Sequence, residues 1–197
     1  MNDILNAIVL AGGEPIKIGG CVRDKILKKE SKDIDIEVYG LPIDKLCAVL
    51  TKFGKVGVVG KKFGVIKLST ENDEYDFSLP RTDNKIGRGH KEFEVAVNHE
   101  LTPLEAAKRR DFTINAIGQK LDGSLLDPYN GLEDLTNRIL RATSAHFAED
   151  PLRVLRGFQF CARFNLVAEL NTLDQCKSLV NEYDTLDKER IWGEFEK

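Results

Sequence analysis

The sequence predicts an α/β fold that mixes strands and helices in its first part and is all helical in its last, with the change near residue 145. Three observations carry this. Strand-like and helix-like patterns intermingle up to about residue 145, and only helical patterns follow. Hydrophobic residues make up 42% and charged residues 31% of the chain, an ordinary globular composition that excludes a disordered chain, a collagen or a coiled coil. The 197 residues suit one domain or two small ones at roughly 100–200 residues each, long enough to bury about 70% of the unfolded surface.

The elements follow in order. Residues 3–12 read as a helix capped by Asn2 or Asp3 and stopped by Gly12 and Gly13. A short strand is predicted from Pro15 to Ile18, a helix from Val22 to Lys29, and a strand over 34–39. Pro42 opens a helix that runs to about Lys52. Strands near 55–59, 64–69 and 74–79 are separated by glycines or by Asn72-Asp73. Residues 81–92, polar and basic with Gly87 and Gly89, read as a flexible loop. Thr102-Pro103-Leu104-Glu105 is a capping box that starts a helix ending near Arg110. Residues 116–126 read as a hairpin and 127–131 as a turn, and helices are expected over 149–163, 171–182 and 187–196.

The formal charge of −3 excludes a globally basic nucleic-acid coat and leaves room for a local basic cleft. Cys21, Cys47, Cys161 and Cys176 are far apart, which fits reduced thiols better than disulfides or a zinc site. No apolar run reaches the ~18 residues of a membrane span, and the N-terminus lacks the basic region of a signal peptide. A cytoplasmic protein is expected.

Two segments carry phosphate and metal chemistry. In IGGCVRDKIL, at 18–27, a strand ends, Gly19 and Gly20 turn the chain, and a helix begins. Glycines let the backbone approach a phosphate, and Arg23 one turn in can add a charge-assisted fork. Alone, the segment fits a plain strand-to-helix turn with a surface arginine equally well. In KDIDIEVYG, at 32–40, alternation puts Asp33, Asp35 and Glu37 on one strand face and Ile34, Ile36 and Val38 on the other. Two neighbouring carboxylates suit a hard divalent ion such as Mg²⁺, although a solvated strand face is the commoner meaning of such a pair. The order of the two segments matters more than either. It brings a phosphate-type turn and metal-ligand candidates together.

These motifs resemble the head domain of the polymerase-β-like nucleotidyltransferases, in the branch of the class II (bacterial-type) tRNA CCA-adding enzymes and poly(A) polymerases. Later segments extend the resemblance. KRRDFTINAI (108–117) is similar to that branch's ribose-recognition motif, and LLDPYNGLEDLTNRILR (125–141) to its hinge. EDPLRVLRGFQFCARF (149–164) is similar to its base-selecting helix, and KERIWGEF (188–195) to the neck motif that follows. The resemblance implies an α/β head with a mixed sheet flanked by helices over residues 1–145, and an all-helical, base-recognising neck over 146–197.

It also implies roles. Asp33 and Asp35 would hold two Mg²⁺ ions, with Asp76 of EYDFSLPR as the third acidic position. Gly19, Gly20 and Arg23 would hold the triphosphate. Arg110 would contact the nucleotide and Asp111 a ribose hydroxyl. Asp150 and Arg153 would act as a protein template for the base, joined by Arg156. CTP and ATP would be the substrates and the tRNA 3′ end the acceptor. A poly(A)-type adenylyltransferase and a catalytically silent RNA- or nucleotide-binding module are the alternatives. The pair Asp33 and Asp35 argues against silence.

Read from the residues alone, Arg109 and Arg110 close a helix where cations suit the dipole. On a helical wheel of 149–164, Val154, Leu155, Phe158, Cys161 and Ala162 fall on one face, expected to be buried. Arg153, Arg156, Phe160 and Arg163 fall on the other, which reads as a solvated basic face or a substrate face. Over 138–163, Arg138, Arg141, Arg153, Arg156 and Arg163 stand against Glu149 and Asp150 alone, which suits an anionic substrate. Gln159 stands where the family pattern usually has another arginine, one positive charge fewer near the nucleotide. In the loop, Arg81, Lys85, Arg88, His90 and Lys91 could close over a site or touch the primer. Family members usually continue beyond the neck, so the expectation is a fragment of a longer chain, a minimal enzyme, or an RNA grip supplied by a second chain or oligomer.

Overall fold

In the computed structural model, residues 1–31, 34–59, 64–85 and 93–196 are described here. They divide into two compact units interleaved along the chain. The first comprises residues 1–82, 95–106 and 117–126, and the second residues 83–94, 107–116 and 127–197.

The first unit is built on a seven-stranded sheet. Its strands are β1 (Glu14–Ile18), β2 (Asp35–Tyr39), β3 (Lys55–Val59), β4 (Val65–Ser69), β5 (Glu74–Ser78), β8 (Gly118–Gln119) and β9 (Leu125–Leu126). Their order is β3-β4-β5-β2-β1-β8-β9. Only β2 and β5 run parallel; the other neighbours are antiparallel, so the sheet is mixed. Helices α1 (Asn2–Leu10) and α3 (Ile43–Leu50) cover one face. Ile4, Leu5 and Ile8 of α1 and Leu46, Val49 and Leu50 of α3 pack there on Ile36, Val38, Ile66, Leu68 and Phe77 of the sheet. Each fully buried aliphatic side chain contributes about 1.5–3 kcal/mol. A smaller cluster of Ile16, Ile18, Tyr39 and Ala106 forms elsewhere in the unit. Ala106 belongs to α4 (Pro103–Ala107), whose capping box is formed as expected. Glu105 N–H donates to Thr102 Oγ1 at 3.3 Å, and Thr102 N–H donates to Glu105 Oε2 at 2.8 Å.

The stretch expected to be a loop from residue 81 instead begins as a strand. Arg81–Lys85 (β6) pairs with Phe93–Val97 (β7) in a separate two-stranded ribbon. Arg88, His90 and Lys91 lie outside the described residues.

The second unit contains α5 (Gly131–Thr136), β10 (Ile139–Leu140), α6 (Leu152–Phe164), β11 (Val167–Ala168), α7 (Leu170–Ser178) and α8 (Lys188–Phe195). Beyond residue 145 the chain is helical except for β11, which pairs in parallel with β10. The turn read from Asp127-Pro128-Tyr129-Asn130-Gly131 is present at Pro128–Tyr129, and helix α5 follows it from Gly131. The Asp127 carboxylate accepts from the N–H groups of Gly131 at 2.7 Å and Leu132 at 2.9 Å, satisfying donors that a helix start otherwise leaves open.

Helix α6 is rotated from its wheel, although Val154 is buried and Arg163 exposed as expected. Phe160 is buried, and Phe158 is 70% exposed. The helix buries Val154, Gly157 and Phe160, the last two against a cluster of aromatic rings. Phe112 stands 5.4 Å from Phe147 and 5.7 Å from Phe160 between ring centroids. A Cβ on Gly157 would stand 3.2 Å from Phe112 Cζ, so glycine permits this approach. The wheel gave Gly157 no weight, although the missing side chain creates the contact face.

Candidate active site

At one end of the first unit, three adjacent strands bring polar groups together. Strand β1 ends at Ile18, and Gly19 then adopts φ 74°, ψ −136°, a backbone state open in practice only to glycine. Lys17 pairs with Ile36, so the end of β1 lies beside the start of β2, where Asp35 stands. Across the parallel pair, Asp35 is in register with Asp76 of β5. In-register partners share a sheet face, so the two carboxylates project from the same side. Asp35 is exposed and Asp76 half-exposed, with Lys67 Nζ 3.5 Å from an Asp76 oxygen. Two accessible hard oxygen donors on one face fit a divalent ion of the Mg²⁺ type. Asp33 lies outside the described residues. No group of three or more His, Cys, Asp or Glu residues fit to hold a metal is found among the described residues.

Glu37 departs from the expected acidic face. It is 1% exposed, and Tyr39 Oη donates to its Oε2 at 2.5 Å. The burial that covers Ile16 and Tyr39 extends over this end of β2, so only Asp35 of that strand stays open to solvent.

Arg23 also departs from a surface position. It lies in α2 (Gly20–Ile26) and is buried, with Nε donating to Asp24 Oδ1 at 2.9 Å and Nη2 2.7 Å from the same oxygen. A Cβ on Gly20 would lie 3.5 Å from Nη2, so the guanidinium packs directly beneath the glycine turn. The adjacent Asp24 is the partner that the sequence reading missed. Cys21 opens the same turn, and burial pushes its thiol pKa up, with the neighbouring Asp35 charge adding to the effect.

In the second unit the remaining candidates form a hydrogen-bonded set. Asp111 is 8% exposed. Its Oδ1 accepts from Phe112 N–H at 2.8 Å and Asn115 Nδ2 at 3.0 Å, and its Oδ2 from Arg156 Nε at 2.8 Å, with Arg156 Nη2 also at 2.8 Å. Those contacts fill the four acceptor positions of a carboxylate. Burial alone would raise the Asp111 pKa, but Arg156 and the hydrogen bonds hold it below the usual carboxylate range. Arg156 also reaches Glu194 Oε1 at 3.4 Å and lies over the Phe160 ring at 5.3 Å. Its own pKa is raised: burial opposes this, and the Asp111 and Glu194 charges outweigh it.

Asp150 and Arg153 are each engaged separately. Asp150 Oδ1 accepts from Leu152 N–H at 3.0 Å, and Oδ2 accepts from Arg190 Nη2 at 2.8 Å. Arg153 donates from Nη1 to the His146 carbonyl at 2.5 Å and from Nη2 to the Arg109 carbonyl at 2.6 Å. Burial lowers the Arg153 pKa against the nearby acidic charges. Arg110 Nη1 donates to the Asn115 carbonyl at 3.4 Å. Gln159 is half-buried on α6, and its side-chain amide has no hydrogen-bond partner among the described residues. Arg190 and Glu194 were missed as site-linked residues. Their i, i+4 spacing in KERIWGEF is the signal, since it puts both on one face of α8.

The sequence pattern of the family described as "Poly A polymerase head domain" matches residues 17–141. A multifunctional CCA protein of Nitrosococcus oceani is 43% identical over 182 residues, covering 91% of this chain and 43% of that protein. A CCA-adding enzyme of Buchnera aphidicola is 40% identical over 185 residues, covering 91% and 42%. The crystal structure of the Bacillus stearothermophilus CCA-adding enzyme in complex with CTP is similar with a TM-score of 0.85 at 27% identity, over 99% of this chain and 46% of that one. The chain thus spans less than half the length of these relatives.

Proposed function

Because the chain belongs to the family of the poly A polymerase head domain, we propose that it is a template-independent nucleotidyltransferase that adds C and A to the 3′ end of tRNA, with CTP and ATP as substrates. The observation that carries this reading is the in-register pair Asp35 and Asp76 at the strand end beside the Gly19 turn.

In this reading the first unit handles phosphates and metal. The Gly19-Gly20 backbone binds the triphosphate, and Arg23, held by Asp24 beneath the turn, supplies positive charge there. Asp33, Asp35 and Asp76 are the acidic ligands and catalytic carboxylates. When bound, two Mg²⁺ ions lower the pKa of the RNA 3′-OH and stabilise charge on the departing pyrophosphate. The carboxylates orient that hydroxyl toward the α-phosphorus.

The second unit handles sugar and base. Arg110 and Arg156 contact the nucleotide. Asp111 accepts a ribose hydroxyl in place of one of its two Arg156 contacts. Asp150 and Arg153 read the base edge. Two protein bonds leave Asp150 two acceptor positions, and two carbonyls leave Arg153 three of its five N–H donors. This assigns a catalytic head to residues 1–145 and a helical, base-recognising neck to 146–197. The assignment cuts across the compact units because Asp111 is bonded to Arg156. Among the described residues no helix is long and apolar enough to cross a membrane, and we assign the protein to the cytoplasm. Further RNA grip would come from more chain or from a second chain or oligomer.

The test is incubation with Mg²⁺, single or paired NTPs, and a tRNA transcript that stops before CCA, followed by 3′-end sequencing. Addition of C from CTP, then A from ATP, is expected. Untemplated A tracts on any RNA would favour a poly(A) polymerase, and no extension by any nucleotide would reject transfer.

A further inference from the structure

The first unit also carries a concentration of positive charge that the proposed reaction does not use. Lys17, Lys25, Lys28 and Lys29 line one cavity of about 350 Å³, whose wall also includes Cys21, Val22 and Ile34 beside Ser31 and Gln119. No carboxylate lines it among the described residues, although the chain as a whole carries a formal charge of −3.

Three local features gather these lysines. Lys17 pairs with Ile36 on one side and Gln119 on the other, so it shares the Ile36 face of the sheet, opposite Asp35. Lys25 Nζ donates to Gln119 Oε1 at 2.8 Å, which fixes one ammonium group and leaves it further donors. The end of α2 then turns sharply. Lys29 N–H donates to the Asp24 carbonyl at 2.8 Å and Lys28 N–H to the Lys25 carbonyl at 3.1 Å, the double bond pattern that closes a helix. Lys28 holds φ 56° at the position where glycine is usual. The turn places Lys28 and Lys29 at the cavity.

We infer that this cavity, which adjoins the Gly19 turn through Cys21, binds phosphate oxygens of the RNA strand. Lysine ammonium groups suit phosphate as point charges and carry no base readout. The choice of RNA rests on the function proposed above. Free pyrophosphate presents the same oxygens, and the experiment separates the two.

Binding of labelled tRNA is measured by fluorescence anisotropy across a salt series, without nucleotide or divalent ion, so the outcome is independent of whether transfer occurs. The K25Q/K28Q/K29Q variant is compared with K45Q/K52Q/K55Q, which removes the same charge from exposed positions away from the cavity. Each phosphate contact contributes about 0.7–0.9 to the slope of log K against log salt. The cavity variant should therefore flatten the slope by about 2–3, and the control variant should leave it unchanged. K28Q/K29Q keeps the Lys25–Gln119 bond and should show about two thirds of the effect, with circular dichroism confirming that each variant is folded. Equal slopes for all variants, or equal loss in both triple variants, would overturn the inference. Calorimetric pyrophosphate binding that disappears in the cavity variant while the RNA slope holds would overturn the assignment to RNA.

Discussion

Replacing Arg156 with methionine should destabilise the protein far more than losing a surface ion pair would. Asp111 is 8% exposed, and two of its four contacts, both at 2.8 Å, come from Arg156. Phe112 N–H and Asn115 Nδ2 would remain, neither of them charged. Removing one partner of a buried pair typically costs about 3–5 kcal/mol, against roughly 0.2–1 kcal/mol for an exposed pair. Loss of the cation–π contact with Phe160 adds about 0.5–1 kcal/mol. In urea, with a slope of about 2 kcal/mol/M for a chain of this size, the midpoint should fall by about 1.8–3 M. Combining Asp111→Asn with Arg156→Met removes the stranded charge, so the double variant should recover part of the loss. A midpoint shift under about 0.5 M, or strictly additive single variants, would refute the buried-pair reasoning.

Other expectations follow from the same geometry. Stability should fall on acidification partly through Asp111. Its folded pKa is depressed, so its contribution is full above the unfolded value near about 4 and is lost as pH falls through the folded value. Urea midpoints between pH 6 and 3 should therefore drop less steeply in Asp111→Asn. Gly19→Ala should cost about 1–3 kcal/mol, because alanine cannot easily adopt φ 74°, ψ −136°, and a thermal melt would detect it. Arg153→Lys should narrow the CTP and ATP preference over UTP and GTP by roughly 5- to 150-fold, from losing about 1–3 kcal/mol at the base edge. A uniform loss across all four nucleotides would instead mark Arg153 as a phosphate contact.

Much of the fold was legible because it depends on local chemistry. The glycines at 12, 13, 19 and 20, the Thr102–Glu105 box and the alternation through 34–39 each act within a few residues, and the elements they imply are present. The misses depend on distant partners. Helix α6 turns on the Phe112 and Phe147 rings, which lie before it in sequence, so its own periodicity pointed Phe158 inward. Glu37 reads as part of the exposed acidic strand face until Tyr39 and the covering cluster are seen around it. Asp111 and Arg156 were legible as candidates, but their bond across 45 residues was not. Asp127 capping α5 was legible in principle, since an aspartate four residues before a glycine can reach the N–H groups of a helix start.

The most direct measurement is RNA-dependent release of pyrophosphate from γ-labelled CTP, comparing the unaltered protein with Asp35→Asn. Asp35 is exposed and in register with Asp76, so the variant should melt at the same temperature. With tRNA lacking CCA and with Mg²⁺, the unaltered protein should release pyrophosphate in step with C incorporation, and Asp35→Asn should release none above background. Equal release by both proteins, or release that does not depend on RNA, would contradict carboxylate-dependent nucleotidyl transfer at this site.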